Sequence, residues 1–459
     1  MSSSTRSQAL TSTTTGTVRA TSRRQFLSMI ALAPVAGSAL AACGTSGPGS
    51  AGSGADAVAT EWYLSGEPSE SITTDAVNAF NEANPDQAIG LTFFQNDAYK
   101  TKIKTAIGAG QAPTIIYGWG GGTLGSYVQA GQVDDLTGWF DQNVAVRDRL
   151  FPSSFGPATV DGKLYALPNE TVTPIVMYYN DELFEKVGAS KPTTWDELVA
   201  LVPVFREAGV APLSLGGQSR WTSMMWLEYL FDRIGGDQVF ADIAAAKPDA
   251  WNTPAALDAL TKVQDLVRAG GFVDGFESVT ADSNADQALL YTGRAAMMLH
   301  GAWCYGAMKN DAADFVTGGK LSFGPFPTVT GGAGDPSNAV GNPGQYMSVF
   351  SQASQEAKDA ALAFFADGIM TDDVIQAYID NGQVPIVTGI EDKLAASDDA
   401  EWLDFVYQLA SKAAVFTQSW DQALSPSTAE ALLTNIEQLF ALSIDPQAFI
   451  TTMNATLGQ

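Results

Sequence analysis

Only three side chains in this 459-residue chain belong to the histidine and cysteine classes: His300, Cys43 and Cys304. A single histidine excludes multi-histidine metal sites, and two cysteines cannot build a cysteine metal cluster, so neither a metal nor a cofactor is expected. No serine, cysteine or histidine triad is apparent, which leaves acid–base work to the carboxylates. A glycosidase would need two of them at a defined separation, one with a raised pKa, and no residue spacing displays that. What the chain offers instead is chemistry of binding. Polar side chains stand near flat aromatic ones: Glu67, Asn96, Trp119, Glu170, Trp221, Gln345 and Tyr346. Aromatic rings cover apolar C–H faces, while carboxylates and amides meet hydroxyl groups through strong hydrogen bonds.

The elements that must hold these residues alternate strand and helix. Residues 60–64 (TEWYL) read as a strand opening into Ser65-Gly66-Glu67-Pro68. A helix over 72–83, with apolar Ile72, Ala76, Val77 and Phe80, stops at Asn84-Pro85. Strands over 89–94 and 114–117 flank a helix marked by Tyr99, Ile103 and Ile107. Such an order predicts parallel pairing with right-handed crossovers, and ligands then lie at the carboxyl ends of the strands. Those ends hold Glu67, Asn96 and Gly118-Trp119-Gly120-Gly121-Gly122. The glycine run lacks a P-loop lysine and the G-x-G-x-x-G spacing, so we read it as a cleft loop that lets Trp119 and its backbone approach a ligand. Farther on, the helix over 221–231 (WTSMMWLEYLF) puts Met224, Leu227 and Leu230 on a core face, with Trp221 free at its start. Gln345 and Tyr346 follow a Gly-Asn-Pro-Gly loop at a strand edge.

The stretch 164–205, LYALPNETVTPIVMYYNDELFEKVGASKPTTWDELVALVPVF, organises the rest. It contains a Leu-Pro break, an apolar strand over 172–179, a short helix capped by Asn180 or Asp181 and ended by Gly188, and a capping box at Thr194-Trp195-Asp196-Glu197. In that order these features resemble the family 1 extracellular solute-binding proteins, carbohydrate receptors of ATP-driven importers similar in fold to maltose-binding protein. The segment Tyr291-Thr292-Gly293-Arg294-Ala295-Ala296-Met297, followed by Gly301-Ala302-Trp303, is similar to the same family's signature, with Tyr and Arg in place of Phe and Lys. The resemblance implies a two-lobe, type II periplasmic-binding-protein-like α/β fold. It puts the hinge at 166–170, a second crossing at 321–328, and Trp303 against sugar rings. It also suggests Trp420 as a second stacking ring, with Asp421 accepting a hydroxyl. His300 is read as a satisfied strand-end histidine and Cys304 as a reduced, partly buried thiol. Iron receptors of related fold use adjacent tyrosines, but Tyr178 and Tyr179 lie in a strand where only one can face a given side.

The first residues carry Ser22-Arg23-Arg24-Gln25-Phe26-Leu27, then an apolar stretch ending Leu40-Ala41-Ala42-Cys43-Gly44. This is the pattern of a twin-arginine export signal and a lipobox, with Cys43 as the lipidated residue. Removing residues 1–42 takes away four arginines and no acid, leaving 20 basic against 50 acidic residues, a net charge of −30. That argues against nucleic acid and strongly anionic ligands. The expected plan is a signal peptide over 1–42, a Gly/Ser-rich tether over 43–57, a first lobe from 58–166 with 325–370, and a second lobe from 167–324 with 371–459. The expected product is a monomeric, lipid-anchored extracytoplasmic receptor that hands an oligosaccharide to ABC importer permease subunits. An anchored glycosidase-like enzyme and a receptor for a cationic ligand such as a polyamine are the alternatives.

Overall fold

Residues 57–458 are described by the computed structural model. The signal-peptide assignment and the tether up to residue 56, Cys43 included, lie outside them. The early alternation builds β1 (Ala59–Leu64), β2 (Ile89–Phe94) and β3 (Ile115–Gly118), with β1 central and parallel to both neighbours, as its order predicts. A small hairpin, β4 (Thr159–Val160) with β5 (Lys163–Leu164), precedes β6 (Leu167–Asn169). The chain then enters a second sheet with β7 (Thr173–Asn180), β8 (Ala211–Ser214), β9 (Ala295–Gly301), β10 (Leu321–Gly324) and β11 (Ala339–Asn342). β12 (Gln345–Val349) returns to the first sheet, and β13 (Phe416–Gln418) closes the second. The first sheet runs β2-β1-β3-β12-β6; the second runs β13-β11-β7-β9-β8, with β10 pairing β7.

β7 shows why the second sheet forms where it does. All eight of its residues are buried. Successive side chains leave a strand on opposite faces, so Ile175, Met177 and Tyr179 pack into the core around Trp195, Leu198 and Trp226, while Val176 and Tyr178 join the other core. The helices that follow start and stop on side-chain chemistry. The Asn180 carboxamide accepts from Leu183 N–H, Gly188 ends that helix at φ +65°, and Thr194 and Glu197 form the reciprocal capping box.

Sheet membership departs from the expected lobe limits in three places. β6 belongs to the first sheet, so the chain crosses at residues 170–172. β10 pairs antiparallel with β7 (Leu321 opposite Asn180), so 321–328 stays in the second half and is not a crossing. The return crossing is Pro343-Gly344, between β11 and β12. The helix Asp372–Asp380 packs on the helix Ser69–Ala83 through Val374, Tyr378, Ile72 and Ala76, which places it with the first half. The chain crosses a third time between that helix and β13, which lies in the second sheet. The segments at 170–172 and 343–344 have no periodic pattern of their own, so residue order alone does not place the return crossing. Among the described residues no helix is long and apolar enough to cross a membrane.

Candidate functional site

A cavity of about 230 Å³ lies between the two halves. One wall comes from the carboxyl ends of the first-sheet strands, the position expected of a ligand site in a parallel sheet: Ser65 and Glu67 after β1, Asn96 and Lys100 after β2, Trp119 after β3. The opposite wall is Trp221, Asp282, Gln287, His300, Trp303 and Asp421. Between them, the crossings at 170–172 and 343–344 and the strand ends beside them supply Glu170, Thr171, Asn342 and Gln345.

The aromatic wall is a pair. Trp221 opens the helix Trp221–Gly235, and Trp303 opens the helix Trp303–Asp311; their ring centroids are 6.0 Å apart. Gly301 at the end of β9 makes room for this, since a Cβ there would fall 1.8 Å from the Trp303 ring. Facing them, Lys100 Nζ stands 5.0 Å from the Trp119 ring centre and 5.8 Å from that of Trp221, and pairs with Asp421 Oδ2 at 3.2 Å. One ammonium thus bridges both halves. Asp97 N–H adds a second bridge to Asp282 Oδ2 at 3.2 Å.

The polar lining is rich in free acceptors. Asp282 Oδ1, Gln287 Oε1, Asn342 Oδ1, Gln345 Oε1 and Gln383 Oε1 are buried without a partner in the protein, and so is the Trp221 Nε1 donor; the amide groups of Asn342, Gln345 and Gln383 carry donors as well. Leaving such atoms unpaired costs free energy, so a ligand that pairs them gains it. Glu170 forms the floor in a left-handed backbone conformation, φ +64°. Its carboxylate accepts from the Tyr63 and Tyr117 hydroxyls, and burial nevertheless pushes its pKa up to about 7.

Of the residues expected at the site, Glu67, Asn96, Trp119, Glu170, Trp221, Trp303, Gln345 and Asp421 line this cavity. Trp420 and Tyr346 do not. Trp420 is 1% exposed, stacked on Phe240 at 4.7 Å and edge-on to Phe231 and Trp251, and its backbone N–H donates to the buried Glu228 Oε1 at 2.7 Å. It anchors the turn that aims Asp421 at the cavity. Tyr346 alternates with Gln345 along β12, so only one of them reaches the cavity; the Tyr346 hydroxyl donates to Ser154 O at 2.9 Å. The glycine run also acts differently from expectation. A Cβ on Gly121 would lie 2.6 Å from Gln422 O, and one on Gly122 2.3 Å from Leu424 O. These glycines admit the other half of the molecule, which also holds the loop through Gln418 Nε2 to Trp119 O at 2.6 Å. Cys304 is fully rather than partly buried. Tyr178 and Tyr179 are buried on opposite faces of β7, away from the cavity.

Sequence reasoning missed Lys100, Asp282, Gln287, Asn342 and Gln383. The available signal was weak: Asp282-Ser283-Asn284 is a polar run just before a helix, and Asn342 and Gln383 sit beside Pro-Gly and Asn-Gly turns.

The chain belongs to the bacterial extracellular solute-binding protein family, which it matches over residues 65–366. The probable sugar-binding periplasmic protein of Rhizobium meliloti (strain 1021) is 28% identical over 229 residues, 47% of this chain and 51% of that one. The chain thus spans about half the length of the curated relatives it matches. A structure solved in work on xylan utilisation by the thermophilic bacterium Caldanaerobius polysaccharolyticus has a TM-score of 0.77 at 31% identity, covering 87% of this chain and 100% of that one. A chitin oligosaccharide binding protein, 22% identical and covering 87% and 98%, has a TM-score of 0.76 and shows the same two-lobe fold.

Proposed function

We propose that this protein is the extracytoplasmic carbohydrate receptor of an ABC importer, held at the cell membrane through lipid on Cys43 and acting as a monomer. The observation that carries the reading is the cavity itself, which is lined by the Trp221–Trp303 pair together with five buried acceptors that have no partner in the protein. A neutral, hydroxyl-rich ring supplies donors to the acceptors and apolar C–H faces to the indoles. Relatives described as sugar-binding support it. Sugar would be bound by Glu67, Asn96, Trp119, Glu170, Trp221, Trp303, Gln345 and Asp421, and the halves would close about residues 170–172 and 343–344. Only the closed form touches ligand from both sides, so ligand selects it and the permease recognises it. A polyamine fits less well, because the place for a cation, over Trp119 and Trp221 and beside Asp421, is filled by the chain's own Lys100.

Thermal unfolding with a panel of mono- and oligosaccharides tests this. A ligand at about a hundredfold its dissociation constant adds about 2.7 kcal/mol to stability, a clear shift of the midpoint. Midpoints unmoved by every sugar but raised by spermidine would overturn the reading, as would release of product from an oligosaccharide.

A further inference from the structure

The function proposed above makes no use of Asp286, His300 and Cys304, yet these three form one buried file against the tryptophan pair. Asp286 is wholly buried, His300 2% exposed and Cys304 wholly buried. His300 Nδ1 receives the Gly301 N–H at 2.9 Å, and a backbone N–H can only donate, so this nitrogen carries the lone pair. Cys304 Sγ lies 2.9 Å from the same nitrogen and donates its S–H there. The ring proton is therefore on Nε2, which donates to Asp286 Oδ2 at 3.1 Å. Asp286 is itself pinned: Gln287 N–H donates to its Oδ1 at 2.9 Å, and Ser214 Oγ donates to its carbonyl at 2.6 Å. A Cβ on Gly216 would stand 2.7 Å from Oδ2, so the carboxylate has no room to swing.

An imidazole held at both nitrogens cannot rotate, and its faces and edges serve as fixed walls. The His300 ring meets Trp221 edge-to-face at 5.4 Å and 89°, and Trp303 at 5.3 Å and 83°. The two indoles are tilted 48° to each other and are not stacked, so neither sets the other's plane. The shared neighbour does. We infer that His300 is a positioning residue: oriented by Asp286, Gly301 and Cys304, it fixes the angle between Trp221 and Trp303 and thereby which ring outlines the cavity accepts. Cys304 acts here as a hydrogen-bond donor and not as a nucleophile; burial, with Asp286 nearby, also pushes its thiol pKa well up.

The ligand half of this inference rests on the carbohydrate reading; the geometric half does not. Full-length protein labelled with 5-fluorotryptophan reports both indoles, assigned by Trp221→Phe and Trp303→Phe. His300→Gln keeps an N–H for Asp286 but removes the ring edge. In ligand-free protein it should shift both assigned fluorine resonances, with some loss of thermal midpoint because the Gly301 N–H loses its acceptor. With the best-binding saccharide it should cost about tenfold in affinity. Cys304→Ala, which removes one donor and no ring, should move the same two resonances the same way by less. Unmoved Trp221 and Trp303 resonances in His300→Gln, or a lowered midpoint with unmoved resonances, would overturn the positioning role. If that variant fails to fold, static resonances in Cys304→Ala overturn it equally. If wild type binds no saccharide, the carbohydrate reading fails while the resonances still decide this one.

Discussion

Trp303 and Trp420 have the same side chain and opposite surroundings. Trp303 keeps a face on the cavity, whereas Trp420 is enclosed by Phe231, Phe240 and Trp251. Substitution should separate the two roles. Trp303→Ala should weaken sugar binding about tenfold or more, as measured by calorimetry. Trp420→Ala should instead cost about 3–5 kcal/mol of stability in urea unfolding, the usual range for emptying a buried tryptophan site. A second contrast concerns charge. Glu61 is fully buried with both carboxylate oxygens unpartnered, and burial, then the nearby Glu170, pushes its pKa up to about 8. Glu170 is raised to about 7. For an acid raised in the folded state, the folded form holds its proton over a window in which the unfolded form has lost it. Its contribution is whole below the unfolded pKa and is lost as pH rises through the folded one. The unfolding midpoint should therefore fall between about pH 5 and about pH 8. Glu61→Gln should flatten that fall, raising the midpoint at the alkaline end and changing it little at the acid end; an unchanged slope would contradict the assignment.

Elements determine which residues act as pairs and which as alternates. Strand alternation sends Gln345 to the cavity and Tyr346 to Ser154, and it sends Tyr178 and Tyr179 into different cores. Helix starts do the reverse: Trp221 and Trp303 each stand at the first residue of a helix, and β9 carries the glycine and histidine that Trp303 and Trp221 lean on. The loop after β3 is a tight junction between the halves. Because a Cβ on Gly122 would meet Leu424 O at 2.3 Å, Gly122→Ala should hold the halves apart and weaken sugar binding while leaving far-ultraviolet circular dichroism unchanged. Wild-type affinity in that variant would show that the loop is not compressed in the bound form.

At the scale of the molecule, two α/β halves joined by crossings at residues 170–172, at 343–344 and between the helix Asp372–Asp380 and β13 meet through Lys100–Asp421, Asp97–Asp282 and Trp119–Gln418. A saccharide that engages both walls should favour this arrangement. Small-angle scattering should show a smaller radius of gyration with a stabilising sugar than without. An identical radius in both conditions would exclude closure as the response. Because the ligand is read as neutral, its affinity should vary little with salt despite the chain's strong acidity.

Periodicity and capping chemistry act locally, so β1, β2, the helix from Trp195 and the strand–helix order of the first third are all visible in residue order alone. So are the glycine and tryptophan of Gly301-Ala302-Trp303 and the absence of histidine or cysteine clusters. Three-dimensional contacts decided the remainder. Whether a tryptophan faces ligand or core depends on neighbours distant in the chain, as Trp420 shows with Phe231 and Phe240. Whether residues 321–328 cross between halves depends on β10 finding β7. The roles of His300 and Cys304 arise because β9 and the two helices beside it bring Asp286, His300 and two indoles to one point, and spacing along a chain does not encode such a meeting of separate elements.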